Sequence, residues 1–336
     1  MAQAEKKLRQ LWYKSPYPWI LILLASLATF SIGQIYGDDT SLPQQLRLSG
    51  YKFVTPLVLC NANNSKIFPE DKGLRDGVKK VVDAHIKFGD ISKGSVNFFR
   101  FSDGVWANVY GNEKYYPSSL GKIPIMMAYF LMAQKDPNVL NKKISYDGGP
   151  DLNKSQDIKP AAAIIPGKTY AVEELIEYMI KYSDNNAAQI LFNGVDKDDL
   201  DNIYSELNIP VVEDIKTGDV DVVTPQQITL LFRVLYNATY LSRDYSEKAL
   251  QLMSESSFTQ GIFSGVPIST VVAHKLGLVG ITNKGGLIAE HELHDCGIVY
   301  GNKSYALCVM TRGSSDISIL EKVISDISKK VYDYVE

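Results

Sequence analysis

Apolar residues recur at helical spacing in "LRDGVKKVVDAHIKF", which predicts a helix over Gly73 to Phe88. The period then drops to two: "SVNFFRFSDGVWANVYG" alternates about an "SDG" turn and predicts a β-hairpin. Pro117 and the long apolar run "IPIMMAYFLMA" predict a buried helix, with Ser119 in its first turn and Lys122 one turn above on the same face. From about Tyr170 to Ser254 the pattern is helical: "VEELIEYMIKYS", "NAAQILF", "DDLDNIYSEL" and "TPQQITLLFRVLYNATYL". In the last of these, Thr224 at the N-cap, Pro225 and Gln227 make a capping box. Strand signals return in "STVVAHKLGLVG" and in a hairpin, "HDCGIVYGNKSYALCVMT", and "DISILEKVISDISKKVYDYV" closes the chain as an amphipathic helix. Two early strands, three late ones and a helix at each end of the domain predict an α/β chain of the α+β type. It has one five-stranded antiparallel sheet flanked by N- and C-terminal helices, plus an inserted all-helical subdomain over about 118–255.

The first residues differ in kind. Lys6, Lys7, Arg9 and Lys14 precede "YPWILILLASLATFSIGQIY", which has about the length of a bilayer-spanning helix. Residues 1–37 are therefore expected to be a basic cytoplasmic stub and a single transmembrane anchor, which puts everything after Gly37 outside the cytoplasm. A cleaved signal peptide and a secreted product is the alternative, because Ser31 and Gly33 have cleavage-site spacing. Residues 38–69 read as a lead-in linker to a domain over 70–336.

Composition narrows the function classes. The chain has 336 residues, 45% of them hydrophobic, and a net charge of -3, with no long basic run in its body, so nucleic acid is not an expected partner. Three cysteines are too few for a disulfide framework. Cys296 and Cys308 fall opposite each other if their hairpin turns at Gly301 to Lys303; two small buried side chains are expected there, a cross-strand disulfide being the alternative. Cys60 lacks the context of a lipidation site.

Serine-x-x-lysine occurs twice, at Ser49 to Lys52 and at Ser119 to Lys122, and only the second is followed by a helical pattern. A serine hydroxyl becomes a nucleophile when a neighbour accepts its proton, and a lysine can do this when desolvation or a second cation lowers its pKa. A helix start also directs backbone N–H groups at a developing oxyanion. Two further motifs follow in order, Ser183-Asp184-Asn185 in "YSDNN" and Lys275-Leu276-Gly277 in "HKLG".

Over about residues 70–335, these three motifs and the "P-x-S-x-x-K-x-P" context resemble the class A β-lactamase-related serine hydrolases of the β-lactamase and penicillin-binding protein superfamily, with closest likeness to membrane-anchored bacterial members. The resemblance implies the β-lactamase/transpeptidase-like fold, an acyl-enzyme mechanism and no cofactor or metal. It makes Ser119 the nucleophile, Lys122 its proton acceptor and Ser183 the hydroxyl that passes the proton to the leaving nitrogen. Asn185 would bind the substrate amide and hold Lys122, and Asp184 would be structural. Lys275 would lower the pKa of its neighbours and attract a substrate carboxylate. Gly277 and Leu278 would border the substrate, and the N–H groups of Ser119 and Leu278 would form the oxyanion hole. The implied substrate is a small molecule or peptide, a β-lactam or a peptidoglycan-like D-alanyl peptide, and the sequence leaves these two open.

Two departures qualify the likeness. Leu276 stands where the family has threonine or serine, so a hydroxyl for the substrate carboxylate is missing. The E-x-x-L-N motif that supplies the deacylation base has its nearest echo in "YSELN", with Tyr204 in place of the acid; the stretch is read as a helix end, and Glu213 and Asp214 are the remaining candidates. Slow deacylation is the expected consequence. These departures also support the non-catalytic rival, a membrane-anchored binding module that keeps the fold without turnover. A metal site in "EHELHD" is disfavoured because His291 and His294, three apart on a strand, point to opposite faces. A serine-histidine-aspartate hydrolase is disfavoured by the absence of a G-x-S-x-G elbow.

Overall fold

The structure is a computed structural model that describes residues 16, 17, 19, 20, 23, 24, 45–47, 49–60, 68–210, 222–283, 285–313 and 316–336. The chain divides into two compact units, Met1–Gln44 and Gln45–Glu336. Most of the expected anchor lies outside the described residues, among which no helix is long and apolar enough to cross a membrane.

The second unit carries the sheet. Strands β3 (Ile91–Arg100), β4 (Trp106–Val109), β7 (Val271–Thr282), β8 (Ile288–Tyr300) and β9 (Tyr305–Gly313) form a five-stranded antiparallel sheet in the order β4-β3-β9-β8-β7, as expected from the two hairpins and the late strand. β7 is an edge strand. Its register with β8 sets Lys275 opposite Cys296 and Gly277 opposite His294.

Alternating side chains feed two apolar layers. One face of the sheet packs on helix α1 (Lys72–Phe88) through Leu74, Val78 and Val82, and on the C-terminal helix α8 (Ile317–Val335) through Leu320, Ile324 and Ile327. The other face packs on an inserted helical layer: α2 (Lys122–Lys135), α3 (Val172–Lys181), α4 (Asn185–Gly194), α5 (Lys197–Glu206), α6 (Pro225–Tyr236) and α7 (Arg243–Ser254). Helix α2 is surrounded by these elements, and Lys122 through Phe130 are all buried, which is why its sequence shows an apolar run rather than a stripe. The boundaries follow local chemistry. Asp71 caps α1 by accepting from Leu74 N at 2.9 Å, Gly89 ends it at φ 82°, and Thr224 and Gln227 form the predicted capping box on α6.

Three expectations are corrected. The insertion is not all-helical, because β5 (Lys143–Tyr146) and β6 (Lys168–Ala171) pair across a long loop and are too short to show as alternation. Cys296 and Cys308, expected as free buried side chains, are joined as a disulfide, since the β8–β9 register places them directly opposite. Part of the expected linker belongs to the domain unit: β1 (Gln45–Arg47) pairs with β2 (Leu57–Cys60), and Phe53 and Val54 enter the core. The Ser49 to Lys52 motif lies in this segment and forms no helix.

Glu247 on α7 holds the lead-in, accepting from the backbone N–H groups of Lys52, Phe53 and Val54 at 2.8, 2.9 and 2.8 Å. A hydrogen bond to a charged group is worth about 1.5–3 kcal/mol. Glu247→Ala should therefore lower the unfolding free energy by at least about 1.5 kcal/mol, read as a lower urea midpoint at unchanged m-value.

Candidate active site

Three segments meet at the edge of β7. The first is a 3-10 turn, Ser118–Gly121, that leads directly into α2 at Lys122. Ser119 thus sits in a 3-10 turn rather than in the first α-helical turn, with Pro117 at its start and Pro124 just inside the helix, where a missing N–H costs nothing. The second is the α3–α4 connection carrying Ser183, and the third is β7 with Lys275. Gly277 allows the close approach: a Cβ there would lie 3.0 Å from Pro117 O and 3.2 Å from Leu120 Cγ.

Ser183 Oγ is the centre of the contacts. It accepts from Lys122 Nζ at 3.1 Å and from Lys275 Nζ at 2.9 Å, and it donates to Ser119 Oγ at 3.2 Å. Lys122 Nζ also donates to Ser183 O and to Asn185 Oδ1, both at 2.7 Å. The structure therefore brings together Ser119, Lys122, Ser183, Asn185 and Lys275, all five of the motif side chains. Ser183 is held at φ 60°, a left-handed conformation that a non-glycine residue keeps only when its surroundings enforce it.

The enforcement comes from Asp184. Fully buried, it caps α4 by accepting from Asn186 N at 2.8 Å and Ala187 N at 3.3 Å, and it also accepts from Ile164 N at 2.7 Å and Asn153 Nδ2 at 2.9 Å. Asn153 Oδ1 in turn accepts from Asn185 N at 2.8 Å. The structural role expected of Asp184 matches this placement. Asn153 carries no motif, and only the fold reveals its part.

Both lysines are nearly water-free, with 6% and 1% of Lys122 and Lys275 exposed. Burial, reinforced by the charge of Lys275, pushes the Lys122 ammonium well below its ordinary pKa. Burial pushes Lys275 down to about 7 against the opposing pull of Asp295. Asp295 is fixed from behind, accepting from Ile262 N at 2.8 Å and lying 2.8 Å from His274 Nδ1.

An open cavity of about 570 Å³ lies over these groups, bordered by Tyr116, Ser119, Ser183, Asn185, Lys275 and Leu278. Leu276 reaches its wall but is only 7% exposed and packs into the apolar layer of the terminal helices. Leu278 N–H, expected as an oxyanion donor, donates to Ser118 Oγ at 3.1 Å. Glu213 and Asp214 lie outside the described residues. Tyr204 falls near the end of α5, as the helix-end reading required. The two histidines of "EHELHD" are separately engaged: His291 Nε2 is 3.4 Å from Asp157 Oδ2, and His294 Nε2 is 3.1 Å from Tyr116 O. Among the described residues, no group of three histidine, cysteine or acidic side chains is arranged to hold a metal ion.

The model of the Beta-lactamase enzyme family matches residues 74–335. The chain belongs to this family. Among curated proteins, this family member is 26% identical to Beta-lactamase VEB-1 of Pseudomonas aeruginosa over 242 residues, which span 66% of the chain and 79% of VEB-1. Its fold is also that of the TLA-3 extended-spectrum beta-lactamase, with a TM-score of 0.66 at 23% identity, covering 78% of this chain and 99% of that one. A PBP-A mutant solved as its acyl-enzyme complex with penicillin G has a TM-score of 0.65 at 21% identity, covering 80% of this chain and 98% of that one. These likenesses establish the class A β-lactamase-like α+β fold and place the chain among β-lactamase-like serine hydrolases.

If Asp184 sets the Ser183 loop, Asp184→Ala should leave at least two buried donors unpaired at about 1–3 kcal/mol each. The expected loss of unfolding free energy is about 2 kcal/mol or more in urea denaturation. A loss below about 1 kcal/mol would show that other contacts hold the loop.

Proposed function

We propose that this protein is an extracytoplasmic serine hydrolase, held by an N-terminal membrane helix, that forms an acyl-enzyme through Ser119 with β-lactams or D-alanyl peptides and deacylates slowly. The observation that carries the reading is the hydroxyl of Ser183 between two buried ammonium groups and 3.2 Å from Ser119 Oγ. Two cations in one dry site have no evident structural benefit, since each costs desolvation and they repel each other. Their effect is to push Lys122 toward its neutral form, since burial and the charge of Lys275 both lower its pKa.

In acylation, neutral Lys122 accepts the Ser119 proton, directly or through Ser183, as Ser119 Oγ bonds to the carbonyl carbon. The oxyanion that forms is held by backbone N–H groups of Ser119 and Leu278. When the tetrahedral intermediate collapses, the C–N bond breaks and Ser183 delivers the proton to the departing nitrogen, drawing a replacement from Lys122. While protonated, Lys275 stabilises the neutral form of Lys122 and attracts the substrate carboxylate. The likeness to Beta-lactamase VEB-1 and to a PBP-A mutant solved as its acyl-enzyme with penicillin G supports a β-lactam substrate.

Deacylation needs a second base to activate water. Among the described residues, no carboxylate hydrogen-bonds to Ser119, Lys122 or Ser183, and the Tyr204 phenol, pushed up to about 12 by burial, stays protonated at neutral pH. Loss of general base catalysis forgoes a factor of about 10² to 10⁴. This favours, as a second reading, a penicillin-binding D-alanyl carboxypeptidase, whose acyl-enzyme with a β-lactam is long-lived.

Incubation with a fluorescent penicillin should leave one long-lived adduct per chain, mapped to the Ser119 peptide and lost in Ser119→Ala. An adduct elsewhere would assign the nucleophile to another residue, and none would leave the non-catalytic binding module as the better account. Glu213→Gln and Asp214→Asn should leave adduct decay unchanged; faster decay in the wild type than in either variant would identify the missing base.

The acylation rate should also depend on pH in a defined direction. Lys275 loses its proton as pH rises through about 7, so the second-order acylation constant should fall above that pH. A guanidinium stays charged there. Lys275→Arg should therefore flatten the alkaline limb while keeping Ser119 labelling, whereas an alkaline limb that persists would assign it to another group.

A further inference from the structure

Leu278 presents both its N–H and its C=O to the open side of edge strand β7, and both are already engaged. Ser118 Oγ accepts from Leu278 N at 3.1 Å and donates to Leu278 O at 2.6 Å, so one hydroxyl closes a two-bond ring on a single residue of the strand. The adjacent residue is Ser119. Ser118 is held at φ 49° in the turn, a conformation that a glycine would adopt without strain and that a serine adopts at a cost. The strained residue thus carries a hydroxyl, and that hydroxyl lies on the N–H that would stabilise an oxyanion.

We propose that Ser118 is a gate on the oxyanion donor: its hydroxyl occupies Leu278 N–H in the resting protein and must rotate away before a substrate carbonyl can enter. This inference rests on Ser119 being the acylated residue. The hydroxyl mimics the substrate at both ends, since an acyl group takes the N–H through its carbonyl oxygen and an amide beside it can take the C=O. Substrates that supply both contacts replace both lost bonds; those that supply only the carbonyl leave Leu278 O unpaired at the cavity wall. The gate therefore favours substrates with an amide next to the reacting carbonyl, the arrangement of an acylated amino acid. It acts before the first covalent step and not after it, because in the acyl-enzyme the carbonyl already holds the donor.

The test compares the full-length protein with Ser118→Ala and Ser118→Gly. The second-order constant for adduct formation with a fluorescent penicillin and the first-order constant for adduct decay are measured separately. Removing the hydroxyl should raise formation by roughly three- to tenfold, the worth of one net hydrogen bond, and change decay by less than about twofold. Ser118→Gly suits the left-handed backbone and carries the test if the alanine variant folds poorly. A merely structural serine would give variants that melt earlier and acylate no faster. Formation that is unchanged or slower in both variants, with Ser119 still labelled, overturns the gate. An absence of adduct in all three proteins refutes the reading of Ser119 and the gate with it.

Discussion

Two ammonium groups share one hydroxyl oxygen, Ser183 Oγ, in a region from which water is almost excluded, and the surrounding fold is arranged around that repulsion. Like charges in a low-dielectric site raise each other's energy, so the arrangement persists only if counter-charges and acceptors are near. Each lysine has its own carboxylate one layer behind it. Asp184 pulls the pKa of Lys122 upward and Asp295 that of Lys275, and both acids are fully buried. Burial outweighs these pulls in both cases. The lysines are therefore stabilised enough to remain in place and destabilised enough to give up a proton.

Asp184 and Asp295 belong to different layers, which links the site to the whole domain. Asp184 is the cap of α4 in the helical insertion, and Asp295 is opposite Leu276 on β8, on the face covered by the terminal helices. His274 lies between them in chain terms: next to Lys275, it contacts Asp295 and stacks near Phe258 and Phe263. The insertion and the sheet meet where the two cations meet. The basicity of Lys122 is thus lowered by burial and by Lys275 on the sheet, and raised by Asp184 in the insertion.

Elements whose determinants are local were legible in the sequence. Helix α6 announced itself through Thr224, Pro225 and Gln227, and the two hairpins through alternation about "SDG" and "GNKS". The five motif side chains were singled out through the resemblance that their order along the chain carries, and the structure brings them together. What depended on tertiary register was hidden. The Asp295–His274 pair arises from the β7–β8 register, and the contact of Ser118 with Leu278 from a positive φ that no neighbouring residue signals, whereas the facing of Cys296 and Cys308 was already legible in their hairpin. Asn153 was invisible for the same reason. It joins the loop before β6 to the cap of α4 across a fold that only the complete chain defines.

The edge position of β7 connects these observations. An edge strand exposes a row of unpaired N–H and C=O groups, which is a hazard for an isolated sheet and an asset for an enzyme that binds an extended substrate. At Leu278 the hazard is covered by Ser118 from the same turn that carries Ser119. The turn can approach so closely because Gly277 has no Cβ to meet Pro117 O. One glycine therefore permits two consequences at once: the serine reaches the strand edge where its acyl group would be held, and its neighbour reaches the donor that would hold it. Any substitution that widens this contact should separate Ser119 from Leu278 N–H, so under the proposed acylation the close approach at Gly277 is a condition of the chemistry rather than a detail of packing.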